Sequence, residues 1–279
     1  MNRPHLTLNI RGRLVDFARP KVMGIINTTP DSFYKESRVK DSLAALSAAK
    51  RMIEDGADVL DIGACSTRPG VRPAGEKEEY ARLAGVLEEI RTYYPDAILS
   101  VDTFRSNIAL KCIENWNVDI INDISGGEGD PDMFDVIATT GVAYILQHMR
   151  GTPETMQSMT EYGDVTAELM TWFSKKLNDL HGKNVKDIII DPGFGFAKTT
   201  EQNFQLLDRL GYFCELGCPV MAGLSRKSMI WKSLETTSED SLAGTIALQA
   251  IAIDRGADLI RVHDVKEAVQ TVRLMEKLN

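Results

Sequence analysis

At 279 residues, 43 % of them hydrophobic and 26 % charged, the chain is long enough for one large domain with a substantial core. Its net charge of −8 argues against a nucleic-acid partner, because a phosphate backbone selects basic surfaces. No apolar run approaches the roughly 20 residues of a membrane span, and MNRPHLTLNI lacks the apolar core of a secretory signal, so no membrane partner and a cytoplasmic location are expected.

Residues 1–18 contain two short alternating runs joined at Arg11-Gly12, which reads as a β-hairpin. From residue 22 a unit recurs: a short apolar run, a polar end, a loop, then an amphipathic helix. The runs are VMGIIN, VLDIGA, ILSVDT, IINDIS, AYILQH, DIIIDP, PVMAGL and LIRVHD. Continuous apolar runs suit strands buried on both faces, joined by helical crossovers. In the first helix Leu43, Leu46, Ala49 and Ile53 recur at helical spacing and Gly56 ends it. An open doubly wound sheet would carry a glycine-rich dinucleotide turn, and no G-x-G-x-x-G follows any strand. The chain 1–279 therefore reads as one α/β domain, a (β/α)₈ TIM barrel (22–279) with an N-terminal β-hairpin.

The C-terminal strand ends of such a barrel face the active-site mouth. Asn27, Asp61, Asp102, Asn122, His148, Asp191, Arg261 and His263 sit at or near those ends, and Lys227 follows the remaining run. Capping accounts for some of these, but not for Asp102, since Ser106 is the better-placed N-cap of the next helix. Asp102, Asn122 and Asp191 supply acceptors and an amide, which suits a planar heterocycle rich in N–H donors. Asn27, Arg261 and His263 lie on the first and last strands, neighbours in a closed barrel, and suit a phosphate or pyrophosphate. The loops TTPDSFYKESRV and CSTRPGVRPAGEKEE are long and aperiodic, as lids or binding loops are. His148 reads as a core histidine and Arg226 as pairing with an acid. Trp116, Trp172 and Trp231 read as packing residues. Cys65, Cys112, Cys214 and Cys218 are too few and scattered for a disulfide framework and read as structural thiols.

Eight segments, in order, resemble dihydropteroate synthases: GIINTTPDSF, DIGACSTRPG, SVDTFRSNIA, INDISGG, HMRGTPETMQ, DPGFGFAKT, GLSRKS and RVHDV. The resemblance implies condensation of 6-hydroxymethyl-7,8-dihydropterin pyrophosphate with p-aminobenzoate, small-molecule substrates both, yielding 7,8-dihydropteroate and pyrophosphate. It implies that Asp102, Asn122, Asp191 and Lys227 hold the pterin, and that Asn27, Arg261 and His263 hold the pyrophosphate, with Mg²⁺ near Asn27. Asp102, Asp191, Lys227, Arg261 and His263 are the expected catalytic set. Phe33, Thr67, Arg68, Pro69 and Ser225 are the expected p-aminobenzoate side, and a homodimer is implied. Two positions depart from the pattern: Cys65 stands where many relatives carry Glu, and Ala197 where Gly is common before Lys198. The first is expected to affect loop closure and the second to stiffen its loop. A pterin-binding methyltransferase barrel working with a corrinoid protein would share the pterin residues but have no use for the Thr67-Arg68-Pro69 loop. A non-catalytic paralogue serving as a binding partner is the other alternative.

Overall fold

The computed structural model describes residues 6–28, 35–65 and 74–278, with only the helical backbone for 35–41. It opens on the expected hairpin, β1 (Thr7–Ile10) and β2 (Arg13–Asp16), paired antiparallel. Its two-residue turn holds Arg11 at φ 50° and Gly12 at φ 75°, the left-handed pair whose twist matches a hairpin.

Eight parallel strands follow: β3 (Lys21–Asn27), β4 (Val59–Gly63), β5 (Leu99–Asp102), β6 (Ile120–Asp123), β7 (Ala143–Gln147), β8 (Ile188–Asp191), β9 (Met221–Ala222) and β10 (Leu259–Val262). They pair in the order β8-β7-β6-β5-β4-β3-β10-β9. A bridge between Ile190 and Val220, with Ile190 N donating to Pro219 O at 2.9 Å, joins the ends, so the sheet is a nearly closed barrel. The ring of helices comprises α1 (Lys35–Asp55), α2 (Glu76–Tyr93), α3 (Ser106–Trp116), α4 (Met133–Thr140), α5 (Val165–Gly182), α6 (Thr200–Asp208), a short α7 (Ser228–Ser233), α8 (Leu242–Asp254) and α9 (Val265–Met275).

Strand alternation divides the core in two. Outward residues such as Leu60, Val101, Ile121, Tyr144, Leu146, Ile190 and Ile260 pack under the helices. Inward residues Met23, Val59, Ile120, Ala143, Ile145, Ile189, Met221 and Leu259 fill the lower barrel, where Leu8 and Ile10 of the hairpin plug it. Burying those two hairpin side chains contributes about 2 kcal/mol each. With the lower end filled, the upper end is left for polar side chains.

Three local expectations change. Leu43 is 56 % exposed, and α1 buries Ala45 in its place beside the expected Ala49, because the small residues let the helix lie close to the sheet. Ser106 does not cap α3; it lies inside the first turn, and Asp130 Oδ2 accepts from both its N–H at 2.8 Å and its hydroxyl at 2.7 Å. Finally, α8 buries Thr245 and Gln249 along with Ala252 and Ile253, while leaving Ala243, Ala247 and Ile251 exposed, so its polar and apolar residues are partly exchanged relative to an ordinary barrel helix.

Candidate active site

Register places Asn27 opposite Gly63, Gly63 opposite Asp102, and Asp102 opposite Asn122. All point into the barrel by the alternation just described. Gly63 leaves the rung open: a Cβ there would stand 3.6 Å from Asn27 Oδ1 and 3.7 Å from Asp102 Oδ2.

One rung lower, Asp61 is 0 % exposed and saturated with donors. Its Oδ1 accepts from Ser100 Oγ at 2.6 Å, and its Oδ2 from Asn122 Nδ2 at 3.1 Å and Arg261 Nε at 2.6 Å. Arg261 also donates through Nη2 to Asp102 Oδ2 at 2.9 Å. A buried carboxylate is tolerated only with such partners. Asp61 thereby fixes the amide plane of Asn122 and turns its Oδ1 away. That oxygen is buried and has no partner among the described residues.

Across the mouth, Asp191 is 2 % exposed and accepts from Gly193 N at 2.7 Å through Oδ1. Gly193 has φ 70°, and any Cβ there would collide with the carbonyl oxygen of His148, so only glycine closes this turn. Lys227 Nζ donates to Phe194 O. A Cβ on Gly223 would meet Lys227 Nζ at 3.6 Å, Arg261 Cβ at 3.9 Å and Asp191 Oδ2 at 4.0 Å. Asp191, Lys227 and Arg261 therefore border one space, kept open by a missing side chain.

Behind Asp191 lies Lys198, 4 % exposed. Its Nζ reaches Gly193 O at 3.0 Å, Phe196 O at 2.9 Å and His148 Nδ1 at 3.1 Å, stitching the loop that carries Asp191. On the opposite lip, Ser225 Oγ lies 3.1 Å from His263 Nδ1 and accepts from His263 N at 3.2 Å, so it orients the imidazole. Arg226 turns away to grip Asp264 with two bonds of 2.9 Å, as its sequence reading has it.

Burial dominates the titration of this site. It raises Asp102 to about 7 against the pull of Arg261, with Asp61 adding to the rise. Burial also raises Asp191, opposed by Lys227 and the Gly193 N–H. It lowers Lys227 to about 8, opposed by Asp191, and takes Lys198 well below the ordinary lysine range. Although part of the His263 ring meets solvent, lost hydration and the Arg261 charge bring it down to about 4. His148, edge-on to Trp172, falls to about 2 through burial and the charge of Lys198. It lies on the outer, helix-facing side of β7 and behaves as a core residue.

Asn27, Asp102, Asn122, Asp191, Ser225, Lys227, Arg261 and His263 thus gather at one end of the barrel. Phe33, Thr67, Arg68 and Pro69 lie outside the described residues. Two further residues organise the site without an expected role from the sequence, Asp61 at its strand end and Lys198. The signal for Asp61 was an acid inside an apolar run, two residues before Gly63 and hence on the same inward face. The departure at Cys65 has a structural counterpart: its Sγ accepts from Ala74 N at 3.1 Å and lies 3.9 Å from Arg105 Nη1. Arg105 also donates to Ala74 O at 2.8 Å and pairs with the buried Glu79, so the two ends of the loop after β4 are tied together. Ala197 takes φ 50°, a left-handed position where glycine is unstrained.

The model of a family described as pterin binding enzyme matches residues 23–263. A dihydropteroate synthase from Synechocystis sp. is 40 % identical over 264 residues, covering 93 % of this chain and 90 % of that one. The Yersinia pestis dihydropteroate synthase, solved with a sulfonamide drug complex, superposes with TM-score 0.91 at 35 % identity, over 98 % of this chain and 99 % of that one. The Xanthomonas albilineans dihydropteroate synthase with 4-aminobenzoic acid gives 0.89 at 36 % identity, over 99 % and 98 %. With likeness of this extent in both sequence and fold, the chain belongs to the dihydropteroate synthase family of pterin-binding enzymes.

Proposed function

We propose that this enzyme condenses 6-hydroxymethyl-7,8-dihydropterin pyrophosphate with p-aminobenzoate, forming 7,8-dihydropteroate and pyrophosphate in folate biosynthesis. The observation that carries the reading is the unpaired, buried Asn122 Oδ1, set between Asp102 and the open face of Asp191. Acceptors left unpaired in a buried site cost stability unless a ligand supplies donors. A pterin supplies them along its amino-pyrimidine edge, which Asp191 and Asn122 would grip while Lys227 approaches from the side.

Asn27, Arg261 and His263 would hold the pyrophosphate. His263 is neutral at pH 7 in the free enzyme, and an anion beside it would favour its protonated form. Cleavage sends the C–O bonding pair to the pyrophosphate and leaves a methylene cation conjugated with the dihydropterin ring. The arylamine then forms the C–N bond and releases a proton. Positioning and charge carry most of the rate in such a step, because the amine is already a competent nucleophile. Phe33, Thr67, Arg68, Pro69 and Ser225 are assigned to the p-aminobenzoate side, with Ser225 acting also through His263.

The donor set suits Mg²⁺ held mainly by substrate phosphate. Asn27 Oδ1 and Asp102 Oδ2 offer oxygens around Gly63, and no all-protein cluster of three His, Cys, Asp or Glu occurs among the described residues. Asn27 would hold the ion, which when bound supplies neutralising charge to the leaving pyrophosphate. A homodimer is proposed with the apolar stripe Ala243–Ala247–Ile251 of α8 in its interface, since a monomer would leave that face in water. A cytoplasmic setting fits four free cysteines.

The test is pyrophosphate release with each substrate omitted in turn, with and without Mg²⁺. Sustained release should match 7,8-dihydropteroate formation, need both substrates and fall sharply without the metal. No 7,8-dihydropteroate from the complete mixture would overturn the reading.

A further inference from the structure

Gln147 ends β7 and pairs in register with Asp191. On that strand Ala143 and Ile145 join the inner core of the barrel, while Tyr144 and Leu146 join the outer one. Alternation therefore turns Gln147 inward, toward the same mouth as Asp191, its register partner on β8, and one inward position above Ile145, which faces Asn122 on β6. The residue is only 4 % exposed, yet its Nε2 has no hydrogen-bond partner among the described residues. A buried amide donor left unpaired destabilises the fold, so its retention calls for something that pairs with it in another state.

From this geometry we infer that Gln147 is a specificity-determining residue, donating through Nε2 to an acceptor atom of the bound pterin. The inference rests on the pterin-pocket reading above. Asp191 and Asn122 Oδ1 offer acceptors to the N–H groups of the heterocycle, and the strand between them offers a donor. The inner face thus presents acceptor, donor, acceptor across three consecutive strands. The edge of a dihydropterin that runs from the 2-amino group through N1 to N8–H is donor, acceptor, donor, and matches such an alternation. A purely apolar ring or one bearing donors alone does not.

The role separates cleanly from a structural one. If Nε2 serves the ligand, Gln147→Met removes an unpaired group from the free enzyme and a partner from the bound one. Thermal unfolding of free Gln147→Met should then occur at the wild-type temperature or above it. Calorimetry with 6-hydroxymethyl-7,8-dihydropterin pyrophosphate should show affinity weakened about tenfold, the value of one buried hydrogen bond. Gln147→Glu, which sets a second carboxylate beside Asp191, should bind more weakly still. The KM for p-aminobenzoate should stay within twofold in Gln147→Met. Pterin pyrophosphate affinity within twofold of wild type in Gln147→Met, or a drop in its free-state melting temperature as large as its loss of ligand-induced shift, would overturn the inference alone. Wild-type enzyme that binds no pterin pyrophosphate would overturn the functional reading and this inference together.

Discussion

Asp61 shows how much of this site depends on a side chain that need not touch substrate. It takes three donors, and two of them, Asn122 and Arg261, belong to the groups assigned to substrate. Breaking a buried ion pair from one side costs about 3–5 kcal/mol, because the remaining charge is left uncompensated. Asp61→Asn keeps the shape and Arg261 keeps Asp102, so the lower end of that range is expected, about 3 kcal/mol in urea unfolding. Substrate affinity should fall with it, since the Asn122 amide and the guanidinium lose their common anchor. Stability within 0.5 kcal/mol of wild type, to order of magnitude, would show that Asp61 is not the organising carboxylate. Apart from Lys227, which lies beyond its run, the charged residues of the site were readable because each is polar at the end of an apolar run. Lys198 escaped notice because its ammonium folds back beneath the loop to reach Gly193 O and Phe196 O, a tertiary route that no spacing reveals. The methyl of Ala197 packs with Ile124, Met149 and Met156, which gives the strained residue a compensating contact.

Secondary elements were legible where burial alone decides them. The eight apolar runs became eight strands because a strand covered on both faces has no polar alternation to obscure it. Boundaries and caps were less legible, since they depend on contacts made across the fold. The start of α3 is the clearest case: its capping oxygen comes from Asp130, 24 residues away, and not from a local hydroxyl. Asp130→Ala should therefore cost about 1 kcal/mol, the usual value of a lost N-cap. Ser106→Ala removes a hydrogen bond to the same carboxylate but leaves the backbone one, and should cost less. Equal losses in chemical denaturation would place the cap on Ser106 after all. In α1 the periodicity of Leu43 misleads, because helical spacing does not distinguish it from Ala45, whose small side chain permits close packing. The two-residue β9 was legible as an apolar run but not as a short strand, because its length is set by how the barrel closes.

Across the whole molecule, folding divides the barrel into an apolar lower half, sealed by the hairpin, and an upper half crowded with charge. That division has a pH signature. Burial and Lys198 hold His148 at about 2, against an ordinary 6.5. As pH falls below 6.5, the unfolded chain takes up a proton that the folded chain refuses, so stability drops, by up to about 1.4 kcal/mol per pH unit for one such group. His263, lowered to about 4, acts in the same direction over a narrower range. Asp102 acts oppositely: raised to about 7, it holds a proton in the folded chain that the unfolded chain has lost, so its contribution fades as pH rises from 3.8. His148→Gln should flatten the acid side of the stability profile between pH 6.5 and 4 by up to one proton. An unchanged slope there would mean that His148 is protonated in the folded chain.

Side chains from distant parts of the sequence converge on one mouth, where Asp191 is proposed to grip the ring and Arg261 its departing anion. Calorimetric titration of the Asp191→Asn variant with 6-hydroxymethyl-7,8-dihydropterin pyrophosphate tests it most directly. A folded variant with no measurable pterin binding is the expected result. Binding at wild-type affinity would contradict the assigned pocket.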